Sequence, residues 1–288
     1  MFDVPFDGPS ICVRFEISEE MEPAPEVRGN YLQFHRYKVD RTGDGFVMSS
    51  PGGAWCRFDA AARCARVRAP YVGDDVVEEV EQFLIFVLVW GWRALGWLPL
   101  HVATIEWEGK CALVCAESCG GKSTFTAACI RRGFHTLGDD KVLIGSGRPA
   151  MACALSRGMN LDPAVARWFP EVAGISELRP YSRWSAKRKV RIESLWPGAT
   201  RARAMPTVLL KLTRAAHSTP VLLWPLGAQE VIDAIARQTV IPNDRAAAAA
   251  MLPAILGLAG QLRGWAINVT AEAYSDLENL KCIKEIFT

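Results

Sequence analysis

The sequence predicts an α/β chain of the α+β kind, with a small leading antiparallel β-sheet and a larger mixed core. Three observations predict it. Residues 11–70 carry short alternating runs separated by Gly-rich turns. A long apolar run from about Asp74 to Leu98 reads as one buried helix. Beyond it, a Gly-rich loop ending in Gly120-Gly121-Lys122-Ser123-Thr124 separates an apolar run from a helical pattern. The expected division of the 288 residues is an N-terminal β-rich part, 1–73, and a larger domain, 74–288.

Composition narrows the function classes. Half the residues are hydrophobic and 22% are charged, which excludes a disordered chain. The formal net charge is +2, too small for a protein that binds nucleic acid over its whole surface. Nine cysteines with irregular spacing suit reduced thiols in a cytoplasmic protein rather than a disulfide scaffold. Residues 1–10 hold Asp3, Pro5, Asp7 and Pro9 and lack the apolar core of a secretory signal. Phe83 to Leu100 only just reaches the length of a minimal membrane span. However, the central Arg93 would cost ~2.5–3.5 kcal/mol there, and Glu78, Glu79 and Glu81 suit the first turn of a water-soluble helix. No membrane span is expected.

The elements follow in order. Ile11, Val13, Phe15 and Ile17 alternate, as do the residues of 31–39, and Arg41-Thr42-Gly43-Asp44-Gly45 is a turn. Residues 19–25 read as a loop. Val102–Trp107 and Cys111–Cys115 form a hairpin around Glu108-Gly109-Lys110. A loop (116–122), a helix (about 123–132) and a strand at Phe134–Leu137 lead to Asp139-Asp140. Asp162-Pro163 opens a helix, with Asp as cap and Pro at its first position. Met205–Leu212, Val221–Trp224 and Trp265–Val269 are strands. Gln229–Arg237 and Asp244–Leu262 are helices, the second with a kink expected at Pro253, and a terminal helix closes the chain.

The chemistry concentrates in Ala116-Glu117-Ser118-Cys119-Gly120-Gly121-Lys122-Ser123-Thr124, which matches GxxxxGK[ST] except at Ala116. Successive N–H groups curling round phosphates require positive φ, expected here at Gly120 and Gly121. Lys122 supplies charge for the outer phosphates, and Ser123 a hydroxyl for Mg²⁺ at a helix N-terminus. Gly138-Asp139-Asp140 follows. Phosphate transfer to a hydroxyl needs a carboxylate on the metal and a group to take the proton, and adjacent acids can divide those roles. An Asp-Asp pair in isolation is usually a turn or a helix start.

The charge is uneven. Residues 183–203 carry seven basic groups against one acidic. Arg183, Lys187, Arg188, Lys189 and Arg191 read either as a solvated loop or as a mobile basic segment for phosphates and an acidic peptide. Cys111 and Cys115 lie ~13 Å apart along a strand, too far to share a metal ion. His35, His135 and His217 are isolated in sequence and carry no assignment.

Leu100-His101-Val102-Ala103, the hairpin, the phosphate loop, Arg132-Gly133-Phe134 and Gly138-Asp139-Asp140-Lys141-Val142 together resemble the bacterial HPr kinase catalytic domain. The chain is more similar still to short HPr-kinase-related proteins, some of which phosphorylate a serine of a lasso-peptide precursor. The resemblance implies an HPr kinase/phosphoenolpyruvate carboxykinase-like core, ATP and Mg²⁺ as cofactors, and a peptide or small-protein acceptor. Of the two aspartates it implies one base and one metal residue. We expect Asp139 as base and Asp140, with Ser123, for the metal. It also implies that His101 lies near the phosphates, and it allows a homo-oligomer. One departure matters: the family's Glu-x-Arg-Gly signature aligns with Leu155-Ser156-Arg157-Gly158, which lacks the Glu. The absent Glu speaks against HPr itself as substrate and against the reverse dephosphorylation, and together with Ala116 it suits a nucleotide-binding regulatory module without transfer. A kinase of free serine or another small metabolite is the other rival to a peptide serine kinase.

Overall fold

The computed structural model describes residues 10–18, 25–34, 37–51, 53–70, 77–117, 119–182, 185–213, 220–242 and 245–288. His35, His217, Ser118, Arg183 and the expected helix start at Asp74 lie outside them. The chain forms two compact units. One holds the described residues up to Pro99 together with Val240–Pro253. The other holds Leu100–Thr239 and Ala254–Thr288. This division differs from the expected one at 73/74, because the long helix packs with the leading sheet.

The first unit contains β1 (Cys12–Ser18), β2 (Leu32–Phe34), β3 (Tyr37–Thr42), β4 (Gly45–Ser49), β5 (Trp55–Asp59), β6 (Cys64–Pro70) and α1 (Val77–Ala94). The strand order is β1-β6-β5-β4-β3-β2. Neighbours are antiparallel except β1, which runs parallel to β6, so the expectation of a purely antiparallel sheet is corrected at its edge. Period-2 burial puts Met48, Cys56, Phe58, Ala65 and Val67 on one face, against Phe83, Val87 and Trp90 of α1. Gly91 allows the close approach: a Cβ there would lie 2.8 Å from Ile11 Cδ1 and 3.0 Å from the Phe58 ring. Gly96, at φ +85°, follows the end of α1, which falls short of the expected Leu98. No helix among the described residues is long and apolar enough to cross a membrane.

After β7 (Leu98–Leu100), the second unit runs through β8 (Ala103–Trp107), β9 (Lys110–Cys115), α2 (Lys122–Arg131), β10 (Val142–Ile144), β11 (Ala152–Ala154), β12 (Gly158–Leu161), β13 (Pro180–Ser182), β14 (Ser185–Arg191), α3 (Ile192–Leu195), β15 (Arg203–Thr213), β16 (Val221–Pro225), α4 (Ala228–Arg237), α5 (Arg245–Gln261), β17 (Arg263–Val269) and α6 (Ala271–Ser275). The larger part of α5, up to Pro253, falls in the first unit. The central strands β9, β15 and β17 are parallel. They are flanked by antiparallel partners, β8 on β9, β16 on β17, and β11 on β15 with β10 beyond it. Except for Lys110, β9 is buried throughout, as a continuous apolar run in a parallel sheet should be. The β8–β9 turn has φ +52° at Glu108 and +80° at Gly109, the double positive φ that a two-residue hairpin turn favours.

Several expected elements take another form. Residues 134–137 make only isolated bridges, Glu106 to His135 and Thr136 to Thr200. Pro163–Arg167 and Pro170–Glu177 are 3₁₀ helices, and the chain ends in α6 and a 3₁₀ segment, Leu277–Phe287. Pro253 lies inside α5 without ending it. The basic stretch, which lacks an apolar period, contains strand β14 in a three-stranded sheet of order β12-β14-β13.

Candidate active site

The β9–α2 loop is built for close backbone approach. Cys119 (φ +57°) and Gly121 (φ +89°) take the left-handed conformation; Gly120 does not. Gly120 is required for a steric reason instead: a Cβ there would stand 2.6 Å from Ala116 Cβ and 2.7 Å from the Glu117 carbonyl oxygen. Ala116 is buried and is not among the positive-φ residues, so the alanine fits without strain. Phe125, Ala127, Ala128 and Cys129 anchor α2 in the core, and Lys122, Ser123 and Thr124 form its first turn.

Five side chains of the expected site converge at that turn. The Ser123 hydroxyl donates to Asp139 Oδ2 at 2.7 Å, and the Asn160 N–H donates to the same oxygen at 3.3 Å. Asp139 Oδ1 is buried with no hydrogen-bond partner. Asp140 turns the other way: its Oδ1 lies 2.9 Å from His101 Nδ1, and its Oδ2 accepts from Lys141. His101 Nε2 lies 3.4 Å from Lys122 Nζ. Ser123, expected to share the metal with Asp140, donates its hydrogen bond to Asp139 in this structure.

The electrostatics separate the two aspartates. Burial raises the Asp139 carboxyl to about 6, against the lowering effect of the Ser123 and Asn160 hydrogen bonds. Burial would raise Asp140 too, but His101 and Lys141 hold it well below the carboxylate range. Burial lowers Lys122, with both aspartates opposing that shift. Lys187 of β14 lies close enough to act on both Lys122 and Asp139. Of the expected basic residues, Lys187 therefore comes to the site. Lys189 lies over the Tyr181 ring at 5.7 Å, Arg191 stands at the N-cap position of α3 without a side-chain capping bond, and Arg188 donates to the Ala186 carbonyl.

Sequence reasoning missed two contributors to this site. Asn160 reaches Asp139 through its backbone, a contact that side-chain type does not signal. Lys141, adjacent to the Asp pair, was the detectable one. His135 is not isolated in space: its Nδ1 lies 3.0 Å from buried Glu106 Oε2, and its Nε2 meets Arg201. Leu155, where the family pattern has Glu, is 4% exposed and lies in the core.

Among the described residues no group of three or more His, Cys, Asp and Glu is placed to hold a metal. A site using one hydroxyl, carboxylates and ligand phosphates is the normal arrangement for Mg²⁺. The Ser123 hydroxyl and the two carboxylates of Asp139 and Asp140 at one helix N-terminus make an all-oxygen donor set that fits such a hard cation. Cys111 and Cys115 are buried, with the Cys115 thiol pushed up to about 11 by burial, whereas Cys119 is exposed in the loop. Alkylating Cys119, verified by mass mapping, is expected to block ATP binding. Full ATP binding by protein shown to be modified there would contradict this.

No family model matches this chain, and no curated protein matches it. Among solved structures the chain is similar to the HPr(Ser) kinase/phosphatase from Coxiella burnetii. The identity is 12% over 65% of this chain and 95% of that one, with a TM-score of 0.37.

Proposed function

We propose that this protein is a Mg²⁺-ATP-dependent kinase that phosphorylates a serine hydroxyl on a peptide or small protein. A lasso-type precursor peptide is the favoured acceptor, by sequence resemblance. The observation that carries the reading is the convergence of Lys122, Ser123, His101, Asp139 and Asp140 at the N-terminal turn of α2. Phosphate transfer asks mainly for positioning and charge stabilisation, and that cluster can supply both.

The loop N–H groups and Lys122 bind the β- and γ-phosphates. Ser123 and Asp140 would hold Mg²⁺, which supplies charge neutralisation across the phosphates; Asp139 abuts the same hydroxyl. The acceptor oxygen bonds to the γ-phosphorus as the bond from phosphorus to the β,γ-bridging oxygen breaks. The acceptor proton passes to Asp139, a carboxyl poised near neutrality, and ADP leaves.

Incubation with γ-labelled ATP and candidate acceptors tests this. Label on a serine peptide, lost in Lys122→Ala by at least about a hundredfold, is the expected result. Label on free serine would favour a metabolite kinase. The buried Leu155 favours the rival regulatory module, and tight ATP binding without transfer would establish that instead.

A further inference from the structure

The β12-β14-β13 sheet buries one face and leaves the other basic. Met159, Leu161 and Val190 go into the core, so alternation sends Lys187, Lys189 and Arg191 to the opposite side. Register places Lys189 opposite Asn160 and Arg191 opposite Gly158. The Lys189 side chain leans over Gly158, where a Cβ would lie 3.4 Å from Lys189 Cε. The face is continuous with the candidate reaction centre at two points. Asn160 donates its N–H to Asp139, and Lys187 acts electrostatically on Asp139 and Lys122.

We propose that this face docks the acceptor, as an extended segment with acidic residues two and four positions from the phosphorylated serine. The inference rests on the kinase reading and names its substrate class. Lys187, which acts electrostatically on Asp139 and Lys122, belongs with the transferred phosphate. Lys189 and Arg191 follow at two and four residues along the strand, about 7 and 13 Å on at a strand rise of ~3.3 Å. An extended peptide rises by the same amount per residue, so carboxylates at those positions meet Lys189 and Arg191. Neutral or basic segments gain nothing there.

Fluorescein-labelled peptides test the face apart from catalysis. Peptides with Glu two and four residues before or after a central Ala (in place of Ser) are compared with Gln versions, with versions whose acids sit one and three residues away, and with an oligonucleotide of equal charge. One acidic orientation is expected to bind about tenfold more tightly than its Gln version. That margin should shrink with salt and disappear in Lys189→Glu/Arg191→Glu, while binding of a fluorescent ATP analogue by that variant is unchanged. Equal binding of the Gln or shifted peptides, equal binding of the oligonucleotide, or indifference to the double variant overturns the proposal. Serine versions with labelled ATP separate the two readings. Charge-selective binding without any transfer removes the kinase and keeps the face, whereas transfer indifferent to peptide charge removes the face and keeps the kinase.

Discussion

Asp139→Asn is expected to slow phosphate transfer by about a thousandfold or more, within the range that a positioned proton acceptor contributes. The same substitution should leave Mg²⁺-nucleotide affinity within a few fold, because Asn can still accept from Ser123 and from the Asn160 N–H. Asp140→Asn should do the reverse, weakening Mg²⁺-dependent nucleotide binding more than the chemical step. If Asp139→Asn instead abolishes Mg²⁺-dependent binding, the roles of the two aspartates are exchanged, as the Ser123–Asp139 contact would favour. A stability readout in metal-free protein accompanies this. The Asp139 carboxyl is raised from 3.8 to about 6 by burial. Its contribution to stability is therefore present below pH 4 and is lost as pH rises through about 6. Near pH 7 the buried anion costs up to about 3 kcal/mol. Asp139→Asn should accordingly raise the melting temperature at pH 7 and leave it almost unchanged near pH 3.5. An inactive variant that is more stable than the parent is the expected signature of a site strained for function.

What the sequence made legible was local. The hairpin, the β9–α2 loop, α2 and the Asp pair could be placed because glycine chemistry and apolar runs act within a few residues. The parallel edge pair β1–β6 could not, since nothing in Cys12–Ser18 states its partner. Strand β14 was hidden because six of its seven residues are partly or fully exposed, and only Val190 marks the buried side. The Ser123–Asp139 contact was hidden for a related reason. Two adjacent aspartates are chemically identical until the backbone turns one inward and the other toward His101 and Lys141.

The turn that separates the two aspartates is itself held by buried hydroxyls, and disrupting it carries the second large expected effect. Thr104 and Thr136 are fully buried. Thr104 Oγ1 accepts from the Leu137 N–H at 2.8 Å, and Thr136 Oγ1 accepts from the Gly138 N–H at 3.0 Å. The Gly138 carbonyl accepts from the Thr104 N–H at 3.0 Å and from the Thr136 hydroxyl at 3.1 Å. Gly138 has φ +155°, and a Cβ there would lie 2.7 Å from the Ser156 carbonyl oxygen, a backbone atom with little freedom to retreat. Gly138→Ala must therefore push the 138–140 turn away from the Ser156 backbone that precedes β12, moving Asp139 relative to Ser123 and Asn160. A displacement of about 1 Å at reacting groups costs about a hundredfold in rate. Thr104→Val keeps the shape but strands the Leu137 N–H in a dry site, at a cost of about 1–3 kcal/mol. Both variants should lose transfer more than nucleotide binding, because Lys122 and the β9–α2 loop are held by other contacts. Thr104→Ser, which restores the hydroxyl, should recover most of the stability lost in the valine variant. If Gly138→Ala transfers phosphate at the parental rate, the Asp139 carboxylate is not positioned by this turn, and the assignment of Asp139 as proton acceptor falls with it.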